Sequence, residues 1–147
     1  MLSTLLIAFA ILAVCVVIHT IGMVLIAEWL LGKRELFRDR SALLRETIML
    51  VSVFALVIGL HILSTCIWAG FYRVLGLFSN FETALYFSVG SYTTIGYGDV
   101  VLPERWRLLG GIEGLNGVLL CGISTAFIFV IVNAIVQYRR ERIDGDR

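Results

Sequence analysis

The sequence predicts an all-α integral membrane protein, with three transmembrane helices and a shorter helix that enters the membrane and returns. Three observations carry that expectation. The 147 residues are 59% hydrophobic and 16% charged, where a soluble domain carries about 25% charge. Mean hydropathy is +0.94, and a water-soluble core of this size cannot hide so much apolar surface. Three apolar stretches each exceed the roughly 20 residues that cross a hydrocarbon layer about 30 Å thick.

The first stretch runs from Leu2 to Leu31 and is interrupted by His19, Thr20 and Glu28. It lacks a basic start, outruns the apolar part of a secretory signal and has no convincing small-x-small cleavage site. Residues 1–31 are therefore expected to be a retained N-terminal helix. The second stretch covers 48–71 and holds His61; the third covers 108–136 and holds Glu113 near its start. Between the first two lies a linker, 32–47, that mixes both charge signs with leucines. A short amphipathic surface helix and a solvated connector are both open there. Residues 138–147 form a short tail.

Orientation follows from Lys and Arg, which accumulate on the cytoplasmic side. Lys33, Arg34, Arg38, Arg40 and Arg45 lie in the first linker, and Arg139, Arg140, Arg142 and Arg147 in the tail; only Arg73, Arg105 and Arg107 separate spans two and three. The N-terminus is thus expected outside and the C-terminus in the cytoplasm. The short chain without a targeting segment fits a prokaryotic cell (cytoplasmic) membrane.

The outer segment is itself apolar. Phe81 to Gly90 is compatible with a short helix, expected over 81–91, with Asn80 at the N-cap position and Glu82 and Thr83 in the first turn. It is too short to span, hence re-entrant. After it comes Thr93-Thr94-Ile95-Gly96-Tyr97-Gly98-Asp99, then Pro103 and the third span.

This arrangement resembles the pore domain of potassium channels, two helices flanking a pore loop, over about Ile48 to Val136. The resemblance implies a pore domain at 48–137, with outer helix 48–71, pore helix 81–91, selectivity filter 94–98 and inner helix 108–136. Thr94, Ile95, Gly96, Tyr97 and Gly98 would bind permeant K+, with no organic cofactor. A dehydrated cation must regain the oxygen ligands that water supplied, and stacked rings of backbone carbonyls can supply them. Turning every carbonyl inward needs dihedrals that glycine reaches cheaply, which suits Gly96 and Gly98. By resemblance, Thr94 adds a hydroxyl ring, while Ile95 and Tyr97 brace the strand from behind. One loop per chain supplies a quarter of each ring, so a C4 homotetramer is expected. The expected partners are three identical subunits and membrane lipid, with no nucleic acid.

Tyr92, Thr93, Asp99 and Glu113 are the expected filter supports. In some members of that family an acidic residue ends the pore helix and pairs with the aspartate after the filter. Gly90 stands there, so Asp99 lacks that partner. Glu113 is a candidate replacement, about 5–8 Å below the outer end of its helix at 1.5 Å per residue. An intramembrane carboxyl is costly unless paired or neutralised. Ser64, Thr65, Tyr92 and Thr93 are its expected partners if it braces the filter; a protonated or water-bound rim carboxyl is the alternative. If the brace holds, Glu113→Gln should disturb selectivity or inactivation.

His61 and His19 are expected to be neutral and bonded to neighbouring helices, with proton sensing as the second reading. His61 lies too deep to pair with Glu113, and neither histidine has a second ligand at metal spacing. Cys15, Cys66 and Cys121 read as small packing thiols. Gly110, Gly111, Gly114, Gly117 and Gly122 are expected to permit close helix approach, and by resemblance Gly122 is the best-placed gating hinge. Ala126, Val130 and Ala134, with Asn133 beside them, are the expected inner pore wall. Trp29, Trp68, Tyr72 and Trp106 fall near span ends, where interfacial aromatics belong.

Span one carries no arginine and is expected to pack outside the pore domain, so voltage sensing is not expected. Gating by an attached ligand-binding domain after Gln137 is not expected either. Enzymatic function has no supporting nucleophile–base pair. A poorly selective cation channel and a non-conducting assembly subunit are the competing readings.

Overall fold

The computed structural model describes residues 2–32 and 42–145. Four α-helices follow one another: α1 (Leu2–Leu31), α2 (Ala42–Val74), α3 (Phe81–Tyr92) and α4 (Arg107–Gly145), the last preceded by a single 3-10 turn, Glu104–Trp106. No β-sheet pairing occurs among the described residues. Most of the first linker, with its possible surface helix, lies outside the described residues.

Both α2 and α4 exceed their apolar stretches. The first begins at Ala42 rather than near residue 48, and the second continues to Gly145 through the segment expected to be a tail. Apolarity marks where hydrocarbon ends, whereas Glu, Gln and Arg continue a helix readily. An ion pair between Glu46 and Arg139 joins the start of α2 to the far part of α4.

Three helices, α1, α2 and α4, are long and apolar enough to cross a membrane. Much of their Leu, Ile and Val surface faces outward in the single chain. That pattern belongs to an integral membrane protein, whose helices meet lipid or further helices. The short α3 packs against α2 and α4, and α1 packs against both of the same helices.

The main core gathers at the α3 end, around Trp68, Ala69, Tyr72, Phe78, Ala84, Leu102 and Leu109. Tyr72 meets Phe87 at 5.4 Å and Phe78 at 6.1 Å between ring centroids, both edge-on, the arrangement that ring quadrupoles favour. This corrects the interfacial reading of two aromatics: Trp68 and Tyr72 are fully buried. Four residues apart, they share a helix face, and that face meets α3 and α4; distance from a span end says nothing about azimuth. Trp29 is exposed, at the end of α1.

Close approach of α3 to α4 depends on glycine. A Cβ on Gly117 would lie 1.9 Å from the carbonyl oxygen of Tyr92, and one on Gly114 would lie 3.1 Å from that of Ser91. A Cβ on Gly110 would lie 3.2 Å from the Phe87 ring. Gly110, Gly114 and Gly117 thus form the track on which α3 sits, while Gly111 and Gly122 border open space within the chain.

Candidate functional site

The site is built from the C-terminal end of α3 outward. Asn80 caps that helix, its side-chain oxygen accepting from the Thr83 N–H at 2.7 Å. At the other end the Thr94 N–H donates to Ser91 O and the Gly96 N–H to Gly90 O, both at 3.0 Å. These bonds tie the next strand to the helix it leaves.

From there the backbone changes character. Thr94, Gly96 and Gly98 have φ of 60°, 55° and 79°, while Ile95 and Tyr97 between them keep negative φ. Glycine tolerates that region, but a β-branched threonine does not without strain. The glycines were legible in the sequence; the strained Thr94 was not, because no local preference puts threonine there.

The side chains of this strand find little cover in one chain. Ile95 is 55% and Tyr97 70% exposed. Tyr97 lies nearly parallel to Tyr86, 6.3 Å between centroids. Asp99, expected without its usual acidic partner, has a phenol instead. The Tyr86 hydroxyl donates to Asp99 Oδ2 at 2.7 Å, and the Val100 N–H donates to Oδ1 at 3.0 Å. The Tyr86 bond holds the Asp99 carboxyl below its ordinary pKa, and the same bond raises that of the phenol.

Glu113 is fully buried, and its partners differ from those expected. The Tyr72 hydroxyl donates to Oε2 at 2.7 Å, and Ser88 on α3 bonds Oε1. Of the four residues expected around it, three spend their hydroxyls on their own helices: Ser64 on Leu60 O, Thr65 on Ile62 O and Thr93 on Val89 O. Such back-bonding uses up a hydroxyl's one hydrogen locally, although the Ser64 oxygen still meets the Tyr92 hydroxyl. The fourth, Tyr92, bonds His61 Nδ1 at 2.8 Å. Glu113 therefore holds α3 against α2 rather than touching the 94–98 strand.

The hydrogens in this cluster can be counted. Ser88 Oγ lies 2.8 Å from the carbonyl of Thr65 as well as against Glu113, yet a hydroxyl has one hydrogen to donate. Every contact is satisfied when the Glu113 carboxyl carries a proton. It then donates to Ser88, Ser88 donates to Thr65 O, and the other carboxyl oxygen accepts from Tyr72.

On α4 the buried residues Leu109, Glu113, Asn116, Leu120 and Ser124 form one stripe. At about 100° per residue, Ala126 and Asn133 fall opposite it. Val130 and Ala134 fall at its margin, where they line an apolar cleft of about 510 Å³ with Leu30 of α1. Gly122 shares a second cleft, about 720 Å³, with Thr93, Thr94 and Thr125. Gly122 and Thr94 thus border one space, while Val130 and Ala134 border the other. The three cysteines are free thiols.

No curated protein and no solved structure compared with the chain matches it. A family described as ion channel matches residues 46–134, a region that holds α2 from its buried Glu46, all of α3, the strained strand and most of α4. With more than half of its length in that match, the chain belongs to this ion channel family.

Proposed function

We propose that four copies of this chain form a potassium-selective channel that conducts K+ passively, with residues 94–98 as its filter. The observation that carries the reading is the alternation of φ sign along Thr94-Ile95-Gly96-Tyr97-Gly98. In an ordinary strand successive carbonyls face opposite ways; alternating the sign of φ turns them to one side. Four such strands around an axis make rings of oxygens that replace a hydration shell. The uncovered Ile95 and Tyr97 then pack against neighbouring subunits, and α3 is the re-entrant pore helix. The N-terminus faces outward, with the first linker and the tail in the cytoplasm. Ala126 and Asn133 face the pore axis.

Purified protein in potassium-loaded liposomes and planar bilayers tests this. Tetramers with K+ flux and a reversal potential that follows the K+ gradient are expected. A reversal potential that shifts equally with Na+ makes the pore a poorly selective cation channel. No flux from well-folded tetramers makes it a non-conducting subunit.

A further inference from the structure

Tyr92, the last residue of α3, is held twice. Its backbone carbonyl rests on α4 at Gly117, where a Cβ would lie 1.9 Å away. Its hydroxyl lies 2.8 Å from His61 Nδ1 on α2. The other ring nitrogen of His61 lies 3.1 Å from Ser124 Oγ on α4, and that same oxygen lies 2.8 Å from His19 Nε2 on α1. The two imidazoles are 4.8 Å apart between centroids. His19, Ser124 and Tyr92 are almost wholly buried. One hydrogen-bonded chain thus links all four helices and ends two residues before Thr94.

The chain has a direction. Ser124 can donate to only one of the two Nε2 atoms facing it, so the other must donate to Ser124. His19 Nδ1 is buried with no partner. If Ser124 donated to His19, a neutral His19 would carry its hydrogen on Nδ1, a buried donor with no acceptor. The reverse direction leaves only a lone pair there, which is the cheaper orphan. Among the described residues no carboxylate bonds either imidazole: Glu113 is taken by Tyr72 and Ser88, and it acts on Tyr92 only through space, as do the thiols of Cys15 and Cys121.

We propose that His19, Ser124 and His61 are positioning residues through which α1 sets the place of Tyr92, and with it the inner end of the 94–98 strand. His19 Nε2–H donates to Ser124, Ser124 donates to His61 Nε2, and His61 Nδ1–H donates to Tyr92; the Tyr92 O–H then goes to Ser64 Oγ, which can accept because its own hydrogen is on Leu60 O. Helix α1 is then part of the conduction machinery, not an outer wrapping. This inference rests on the reading of 94–98 as a filter for its functional half only.

The chain contains two histidines, so nitrogen-15 NMR of the full-length protein in lipid bilayers, any histidine tag removed, reports on these two alone. Two neutral rings of opposite tautomer are expected, one protonated on Nε2 and one on Nδ1, with His19→Gln assigning the Nε2–H signal to position 19. Matching tautomers, the opposite assignment or an imidazolium at neutral pH would overturn the directed chain. Single-channel recording reads the functional half. His19→Ala and Ser124→Ala should each change filter open probability by about threefold or more. The double variant should add nothing further, and Ser124→Thr, which keeps the hydroxyl, should restore wild-type behaviour. Wild-type open probability in His19→Ala would reduce α1 to packing. If the wild-type protein passes no K+, the filter reading fails while the tautomer result still stands or falls by itself.

Discussion

The α2–α3–α4 socket and the 94–99 strand adjoin each other and are built on opposite terms. In the socket, Tyr72, Ser88 and Glu113 are buried and mutually bonded, and three glycines of α4 carry the weight of α3. Everything it needs comes from one chain. The strand has Ile95 and Tyr97 exposed and a threonine held at φ 60°. In the proposed tetramer it would be presented by one chain and completed by others. The difference teaches that a single chain fixes where the strand starts but leaves its side chains uncovered.

Substitutions can break that contrast, beginning with the largest effect. Gly117→Ala places a methyl against the backbone of Tyr92, not against a yielding side chain. The helices must part, at about 3 kcal/mol or more, and size-exclusion chromatography of detergent-solubilised protein should show loss of the assembled form. Gly111→Ala, which meets nothing within 4 Å in the chain, is the control and should leave assembly intact.

Glu113→Leu leaves the hydroxyls of Tyr72 and Ser88 buried without their partner, a loss of about 2–3 kcal/mol readable as a lowered unfolding midpoint. Glu113→Gln should lie close to wild type, because an amide can donate to Ser88 and accept from Tyr72. From the sequence alone Gln looked like the disruptive replacement. The hydrogen count makes it the conservative one.

Gly98→Ala should separate the two regions most cleanly. Space around Gly98 is open, but its φ of 79° costs an alanine about 1–2 kcal/mol. Thermal stability should fall slightly while K+ flux falls on the order of tenfold, since only the carbonyl geometry is disturbed. An equal loss of both would mean that strand and socket are one unit.

The smallest effect concerns Asp99. Its folded-state pKa is depressed, chiefly by the Tyr86 hydroxyl, so the bond contributes above the unfolded pKa and is lost as pH falls through the folded one. Tyr86→Phe should let the Asp99 carboxyl titrate closer to its ordinary value, measured by carbon-13 NMR. Both groups are solvent-facing, so global stability should barely move.

Local chemistry made much of this legible in the sequence. The three apolar spans, the Asn80 cap, the two strand glycines and the need of Glu113 for bonding partners all follow from composition, periodicity or the cost of a charge in hydrocarbon. What a one-dimensional reading missed was partnership. Ser64, Thr65 and Thr93 looked available to Glu113, yet each bonds its own helix. Tyr72 looked like an interfacial aromatic and is the buried donor.

The sequence by itself determined that the chain is an all-helical membrane protein and where glycines let its backbone take a positive φ, because apolar length and glycine placement act within a few residues. Only the tertiary structure decided who braces whom. The azimuth of each helix sends Tyr72 inward, brings Tyr86 to Asp99 and threads His19 to Tyr92 through Ser124 and His61. Those contacts join separate elements of the chain, and rotating a helix by a third of a turn would replace the contacts it makes while leaving its hydropathy unchanged.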